Sequence, residues 1–228
     1  MADGLKTLLK AILDDDRAGA KALLKADAAL ARGTTADASY ESRIAHWVYA
    51  GDTALHVAAA GHRTEIAEAL LDSGADIGTA MNHRRSQPLH YAADGFLENP
   101  GWNASQQVAT IRLLVEAGAD VHAHDKNGAT PLHRAVRTRC AAAVKFLLDA
   151  GSDATLRNKP GSTPFHLAVQ NTGRGGSGAE KAKAAQREII RMFLERGVSP
   201  TLKDGKGKSV LEWAGSEWIR QILADKAA

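Results

Sequence analysis

The chain has 228 residues, 44% of them hydrophobic but only 5% aromatic, a length that fits one compact domain or one short solenoid with a core built mostly from Ala, Leu, Val and Ile. Its single cysteine, Cys140, excludes an intramolecular disulfide and a cysteine-based structural zinc site, which needs several thiolates. The net charge of +3 is unevenly spread: residues 1–120 hold 11 Lys and Arg against 16 Asp and Glu, or −5, whereas residues 121–228 hold 18 against 10, or +8, so the molecule is expected to be electrically bipolar, with a C-terminal half able to steer an acidic partner.

Met1–Leu13 carries Asp3 and lacks the continuous apolar run and cleavage site of a signal peptide. No apolar stretch reaches the roughly 18–20 residues of a membrane span. A cytoplasmic protein with no membrane partner is the expectation. Gly4–Leu13 and Arg17–Ala31 read as two amphipathic helices. Gly33–Asp52 is long for a connection and is expected to form an extended or irregular finger.

A short pattern then recurs. It reads Thr53-Ala-Leu-His56-Val-Ala-Ala, Gln87-Pro-Leu-His90-Tyr-Ala-Ala, Thr130-Pro-Leu-His133-Arg-Ala-Val and Thr163-Pro-Phe-His166-Leu-Ala-Val, with a degraded copy at Ser209-Val-Leu-Glu212-Trp-Ala. A second pattern follows each of the four full copies, as in Leu70-Leu71-Asp-Ser-Gly74-Ala-Asp76 and Leu147-Leu148-Asp-Ala-Gly151-Ser-Asp153. The copies start 34, 43, 33 and 46 residues apart. Thr before Pro suits a helix N-cap followed by the first turn. Leu with small Ala residues suits close helix packing, and Gly after the Leu-Leu helix suits a left-handed stop. Asp125-Lys-Asn-Gly128 is turn chemistry. Ala54 in place of Pro and Gln87 in place of Thr should let those two helices start less firmly.

These residues resemble the ankyrin repeat over nearly the whole chain, and the long intervals are then one repeat of about 33 residues plus insertions of about 10 and 13. The resemblance implies an all-α solenoid of stacked helix-turn-helix units with short hairpin fingers. It divides the chain into an N-cap over 1–38, repeats over about 52–85, 86–127, 129–160 and 162–206, and a C-cap over 208–228, where atypical end units are expected to face water. It also implies that His56, His90, His133 and His166 hydrogen-bond within and between repeats, and that the molecule is a non-catalytic scaffold binding another protein through its fingers and inner helices. No cofactor or metal is expected, nucleic acid is not the expected partner, and a monomer is.

The candidate contacts are Tyr40, Trp47 and Tyr49 in the first finger and His83, Arg84 and Arg85 in the second. His122, His124 and Lys126 lie on the third, Arg157 and Lys159 on the fourth, and Arg137 extends the set from a helix. Tyr, Trp and Arg are frequent energetic anchors of interfaces; the alternative for Trp47 and Tyr49 is packing beneath the long finger. The insertions Asp94–Ser105 and Asn171–Ala179 fall between the helices of their units. They suggest a notch walled by Phe96, Trp102 and Arg174, with Arg137–Cys140 between the loops and the arginines, Arg137 and Arg139, at its floor.

Three features point elsewhere. His122-Ala-His124, on a strand, would turn both rings to one face, with His83 a possible third metal ligand. Gly173-Arg-Gly175-Gly-Ser-Gly178 has dinucleotide-loop spacing but follows a helix, where that motif needs a strand, so a flexible loop is expected. Cys140, near a helix N-terminus and two arginines, could be a reactive thiolate or a small residue packed at a turn. The alternatives to a scaffold are therefore an enzyme or redox protein using a notch around Cys140, and a nucleic-acid binder using the basic half.

Overall fold

Short Ala-rich helices begin at each repeat of the motif, and the chain between them decides how they stack. The computed structural model describes residues 2–95, 99, 101–171 and 179–224. Twelve α-helices are present among them, in six consecutive pairs: α1 (Ala2–Leu13) with α2 (Arg17–Ala26), α3 (Ala54–Ala60) with α4 (Thr64–Asp72), α5 (Pro88–Ala93) with α6 (Ala104–Glu116), α7 (Pro131–Arg137) with α8 (Ala141–Asp149), α9 (Pro164–Ala168) with α10 (Glu180–Glu195), and α11 (Val210–Trp213) with α12 (Glu217–Ala224). The odd-numbered helices pack in one row, each on the next, and the even-numbered helices form a parallel second row. This is the expected all-α solenoid.

The inner row turns Leu55, Leu89, Leu132, Phe165 and Val210 into the core, all with no exposure, and the outer row meets them with Ile66, Leu70, Ile111, Leu114, Ile190 and Phe193. Phe165 and Phe193 stack at 5.0 Å. The glycines closing α4, α6, α8 and α10 adopt φ of +84°, +98°, +89° and +75°, a conformation costly for residues with a Cβ.

The four motif histidines are structural. In each, Nδ1 accepts the backbone N–H of the helix N-cap three residues earlier, at 3.1 Å for Thr53–His56, Gln87–His90 and Thr130–His133 and 3.4 Å for Thr163–His166. The Nδ1 atom therefore carries no proton. Nε2 carries it and donates into the following unit, to the carbonyls of Ser86, Ala129, Ser162 and Lys208 at 2.9–3.2 Å. Burial drives all four imidazoles below their ordinary pKa, to about 4 for His90 and His133. Thr53 and Gln87, where weaker starts are expected, keep the reciprocal capping box with His56 and His90 but lack a direct side-chain cap bond. Thr130 and Thr163 Oγ1 accept the N–H of their histidine at 3.4 and 3.5 Å, whereas the buried Gln87 Oε1 has no hydrogen-bond partner.

Two local expectations are corrected. Arg17–Ala31 is not one helix: α2 stops at Ala26 and a 3-10 turn covers Ala28–Arg32. Asp27 breaks it, because its carboxylate accepts the N–H of Ala29 at 3.0 Å, a local bond that competes with the helix. His122 and His124 do not lie on a strand, since Asp120–Gly128 is turn and irregular backbone. The finger over Gly33–Asp52 does contain strands, β1 (Ser39–Glu41) and β2 (His46–Val48), paired antiparallel with Tyr40 opposite Trp47 and Glu41 opposite His46.

Candidate functional site

The β1–β2 register decides which side chains face solvent. Strand side chains alternate, so Trp47 points outward beside Tyr40 while His46 points in. Tyr40 and Trp47 are 53% and 50% exposed, and their rings meet edge-on at 5.7 Å. Tyr49 follows Trp47 on the same side at 6.3 Å. It is half-buried, which places Trp47 on the surface and Tyr49 between the two expected positions. Arg84 holds Tyr49 from the next finger: Nη1 donates to its hydroxyl, and Cζ lies 5.1 Å from its ring centroid. His83 meets the same ring edge-on at 4.8 Å.

Beneath this shelf is an ionic network that the sequence reading missed. His46 packs against Tyr91 with ring centroids 4.6 Å apart and planes tilted by 40°, and the Tyr91 hydroxyl donates to both Asp52 oxygens at 3.0 and 2.8 Å. Arg134 is 5% exposed. Its Nη1 donates to Asp94 Oδ2 at 2.7 Å, and its Nη2 to Asp125 Oδ2 at 2.9 Å and Ser86 Oγ at 3.0 Å. His46 Nε2 is 3.4 Å from Asp94 Oδ2, and Arg137 Nη2 is 3.6 Å from Asp94 Oδ1. Burial by itself would raise the Asp94 carboxyl, but Arg134, His46 and Arg137 together hold it below the usual carboxylate range. The signal was present in the sequence: Arg134 follows a motif histidine where the other units carry Val57, Tyr91, Leu167 and Trp213.

Shelf and network border an open cavity of about 340 Å³, lined by Trp47, Tyr49, Arg84, Asp94, Arg137 and Thr138 among others. His46 and Asp94 also wall a smaller cavity of about 130 Å³ toward Trp102. Asp94 Oδ1 is buried and makes no hydrogen bond. The cavity offers an aromatic wall, an Arg137 side chain that is 58% exposed, and a polar floor, a lining suited to recognition.

The other expected contacts fall into two groups. Arg85, Lys126, Arg157, Lys159, His83 and His124 are exposed on the fingers. His122 is tied to the next unit, with Nε2 3.1 Å from both the Gly151 carbonyl and the Asp153 amide. Among the described residues, no three His, Cys, Asp or Glu side chains are placed to share a metal ion.

The notch is corrected more substantially. Phe96, Arg174 and the glycine run 173–178 lie outside the described residues. Trp102 is half-buried, donates to Gln107 Oε1 at 3.2 Å and meets Lys181 of α10 at 5.7 Å, so the first insertion contacts the unit that carries the second. Arg139 is 6% exposed and is removed from the surface set. Its backbone is left-handed, φ +61°, and its guanidinium donates to the Leu167 and Gln170 carbonyls at 3.3 and 2.8 Å. Cys140 is 1% exposed, and burial pushes its thiol up to about 11, opposite to an activated thiolate. Alkylation of the native chain at pH 8 is expected to be slow and to become fast only in denaturant. A native rate equal to that of the unfolded chain would contradict this.

Comparison with known proteins agrees with this architecture. The family described as ankyrin repeats in three copies matches residues 102–204, and a single ankyrin repeat matches residues 50–83. Ankyrin repeat and SOCS box protein 6 of Mus musculus is 36% identical over 84 residues, 37% of this chain and 18% of that protein. Ankyrin repeat and SOCS box protein 16 of Mus musculus is 38% identical over 88 residues, 39% of this chain and 19% of that protein. The chain thus spans about a fifth of the length of these relatives. The crystal structure of an ankyrin repeat domain from Acinetobacter baumannii AYE superposes with a TM-score of 0.67 at 24% identity, covering 97% of both chains. No described helix is long and apolar enough to cross a membrane.

Proposed function

The chain belongs to the ankyrin-repeat proteins, and from that premise we propose that it is a non-catalytic scaffold that binds a segment of another protein in the groove formed by its fingers and inner helices. One observation carries the reading: Tyr40 and Trp47 stand half-exposed beside a cavity of about 340 Å³, over a floor held by Arg134 and Tyr91. An isolated surface aromatic needs no explanation. Two adjacent ones, backed by a buried ion network and flanked by Arg84 and Arg137, have the composition of an interface anchor. In this reading the molecule acts as a cytoplasmic monomer.

The test uses peptides selected from a random library on the immobilised full chain. Their affinity is expected to fall about 30-fold with Trp47→Ala, the loss typical of an anchor residue, and by a smaller factor with Arg137→Ala. Both side chains are exposed, so the fold should persist. Glu68→Ala on the outer surface should have no effect. Selected peptides indifferent to both groove substitutions would remove the reading.

A further inference from the structure

The finger tips carry a charge pattern that the cavity by itself does not require. The tip segments 81–86, 124–129, 157–162 and 203–208 contain eight Lys and Arg against two Asp. Both Asp are turned inward. Asp125 Oδ1 accepts the N–H groups of Asn127 and Ala129 at 2.8 and 2.9 Å, and its other oxygen binds Arg134. Asp204 Oδ1 accepts those of Lys206 and Lys208 at 2.9 and 2.8 Å, and its other oxygen binds the Trp213 indole. Among the described residues, none of the eight cations pairs with a carboxylate. The exposed acids of these connections, Asp76, Asp120 and Asp153, sit four residues beyond the outer helices, each accepting the N–H two residues on.

The tips are bonded to one another. Lys126 N–H donates to the Arg84 carbonyl at 2.7 Å, Lys159 N–H to Asn127 at 2.8 Å and Gly205 N–H to Gly161 at 2.9 Å. The last pair lies so close that a Cβ on Gly161 would fall 2.6 Å from the Gly205 Cα. The backbones that carry the cations are therefore joined tip to tip along one edge. At its N-terminal end this edge meets Arg84, Tyr49 and the exposed Trp47. There the charge is mixed: Asp37 and Glu41 lie in the same hairpin as Trp47, but Arg43 of that hairpin pairs with Glu41 at 3.7 Å, so the uninterrupted run of cations ends at Arg84.

We infer that the groove recognises an extended protein segment of two unlike parts, an apolar or aromatic side chain seated on Trp47 and an acidic tract running along the fingers. This rests on the groove reading above and specifies its ligand. Repeat units stack about 8–10 Å apart and an extended chain advances about 3.3 Å per residue. An acidic side chain at about every third position therefore meets successive tips. A nucleic acid presents phosphate along its whole length, so its aromatic-stacked end would lie beside Asp37, where the run of cations has ended; a peptide can be uncharged there and acidic beyond.

The experiment is fluorescence anisotropy of the full chain with a labelled 12-residue peptide, made in both chain directions, carrying Trp at one end and Glu at every third position. In one direction it is expected to bind at least about tenfold more tightly than its Gln counterpart, and Lys126→Glu with Lys159→Glu should cost about tenfold. Equal binding of the Gln peptide, or indifference to the double reversal, overturns the acidic tract. The groove reading survives that result if Trp47→Ala still weakens library-selected peptides. Failure of both directions to bind also overturns the inference, as does tighter binding of a 12-nucleotide single-stranded RNA.

Discussion

Arg134→Met is expected to destabilise the chain by about 3–5 kcal/mol, the cost of removing one partner from a buried ion pair. That is a large share of the roughly 5–15 kcal/mol that holds a domain together. Arg134 joins Asp94, just beyond α5, to Asp125 of the finger that leads into α7, and bonds Ser86 Oγ as well. Without it, two buried carboxylates lose their common cation, and Asp94 retains only His46 and Arg137. The loss should be largely local to the ionic set rather than to the packing volume. Arg134→Leu combined with Asp94→Ser and Asp125→Asn should therefore recover most of it. Leu167 occupies the matching slot one unit later, so the fold accepts Leu there, and Asn can still accept the Asn127 and Ala129 amides. Urea unfolding of the single and triple variants measures both effects. A single variant within about 0.5 kcal/mol of the parent, the range of ordinary surface changes, would show that the network contributes little.

Acid should unfold the molecule through its repeat histidines. His90 and His133 are held neutral by burial, with pKa values lowered from 6.5 to about 4. Between those values the unfolded chain binds protons that the folded chain excludes, so stability is fully present above about pH 6.5 and falls as the pH drops toward 4. Each of the two contributes roughly 3 kcal/mol over that window, and together they should remove roughly 5 kcal/mol by pH 4.5. His56 and His166 are shifted in the same direction. Protonation places a second N–H on Nδ1, against the N-cap N–H it should accept, which links acid directly to the helix start. His133→Gln retains a donor and an acceptor without titrating. It should lower stability at pH 7 yet give a shallower slope from pH 7 to 4.5. A parent chain whose unfolding free energy is flat over that range would contradict this account. Loss of the Asp94 contribution belongs to a lower window, below about pH 4, because its folded pKa is depressed beneath 3.8.

The stacking was legible because the motif repeats in phase and each part has a local cause: the N-cap Thr, the first-turn Pro, the histidine three residues on and the closing Gly. The failures were at positions where the next unit, not the local chain, sets the side chain's fate. Arg139 and Cys140 sit beside one another in sequence and suggested an electropositive thiol. The left-handed backbone at Arg139 instead sends its guanidinium to the carbonyls of the following unit, and Cys140 turns into the core. Arg134, Asp94 and Asp125 were not singled out together, because 40 residues separate Arg134 from Asp94 and only helix stacking brings them into contact. A charge in a slot that is Val57, Tyr91 or Leu167 elsewhere was the available clue. The exposure of Trp47 depended on the hairpin register, which places His46 inward.

The groove beneath Trp47, and not the outer helices, is the proposed binding face. Its most direct test is a titration of the isotopically labelled full chain with a library-selected peptide, followed by amide and indole NMR shifts. The expected result is that the Trp47 indole and the amides of Arg84, Lys126 and Arg137 move together at a single affinity. Shifts confined to outer-row positions such as Glu68, Arg112 and Lys145, with the Trp47 indole unmoved, would contradict it.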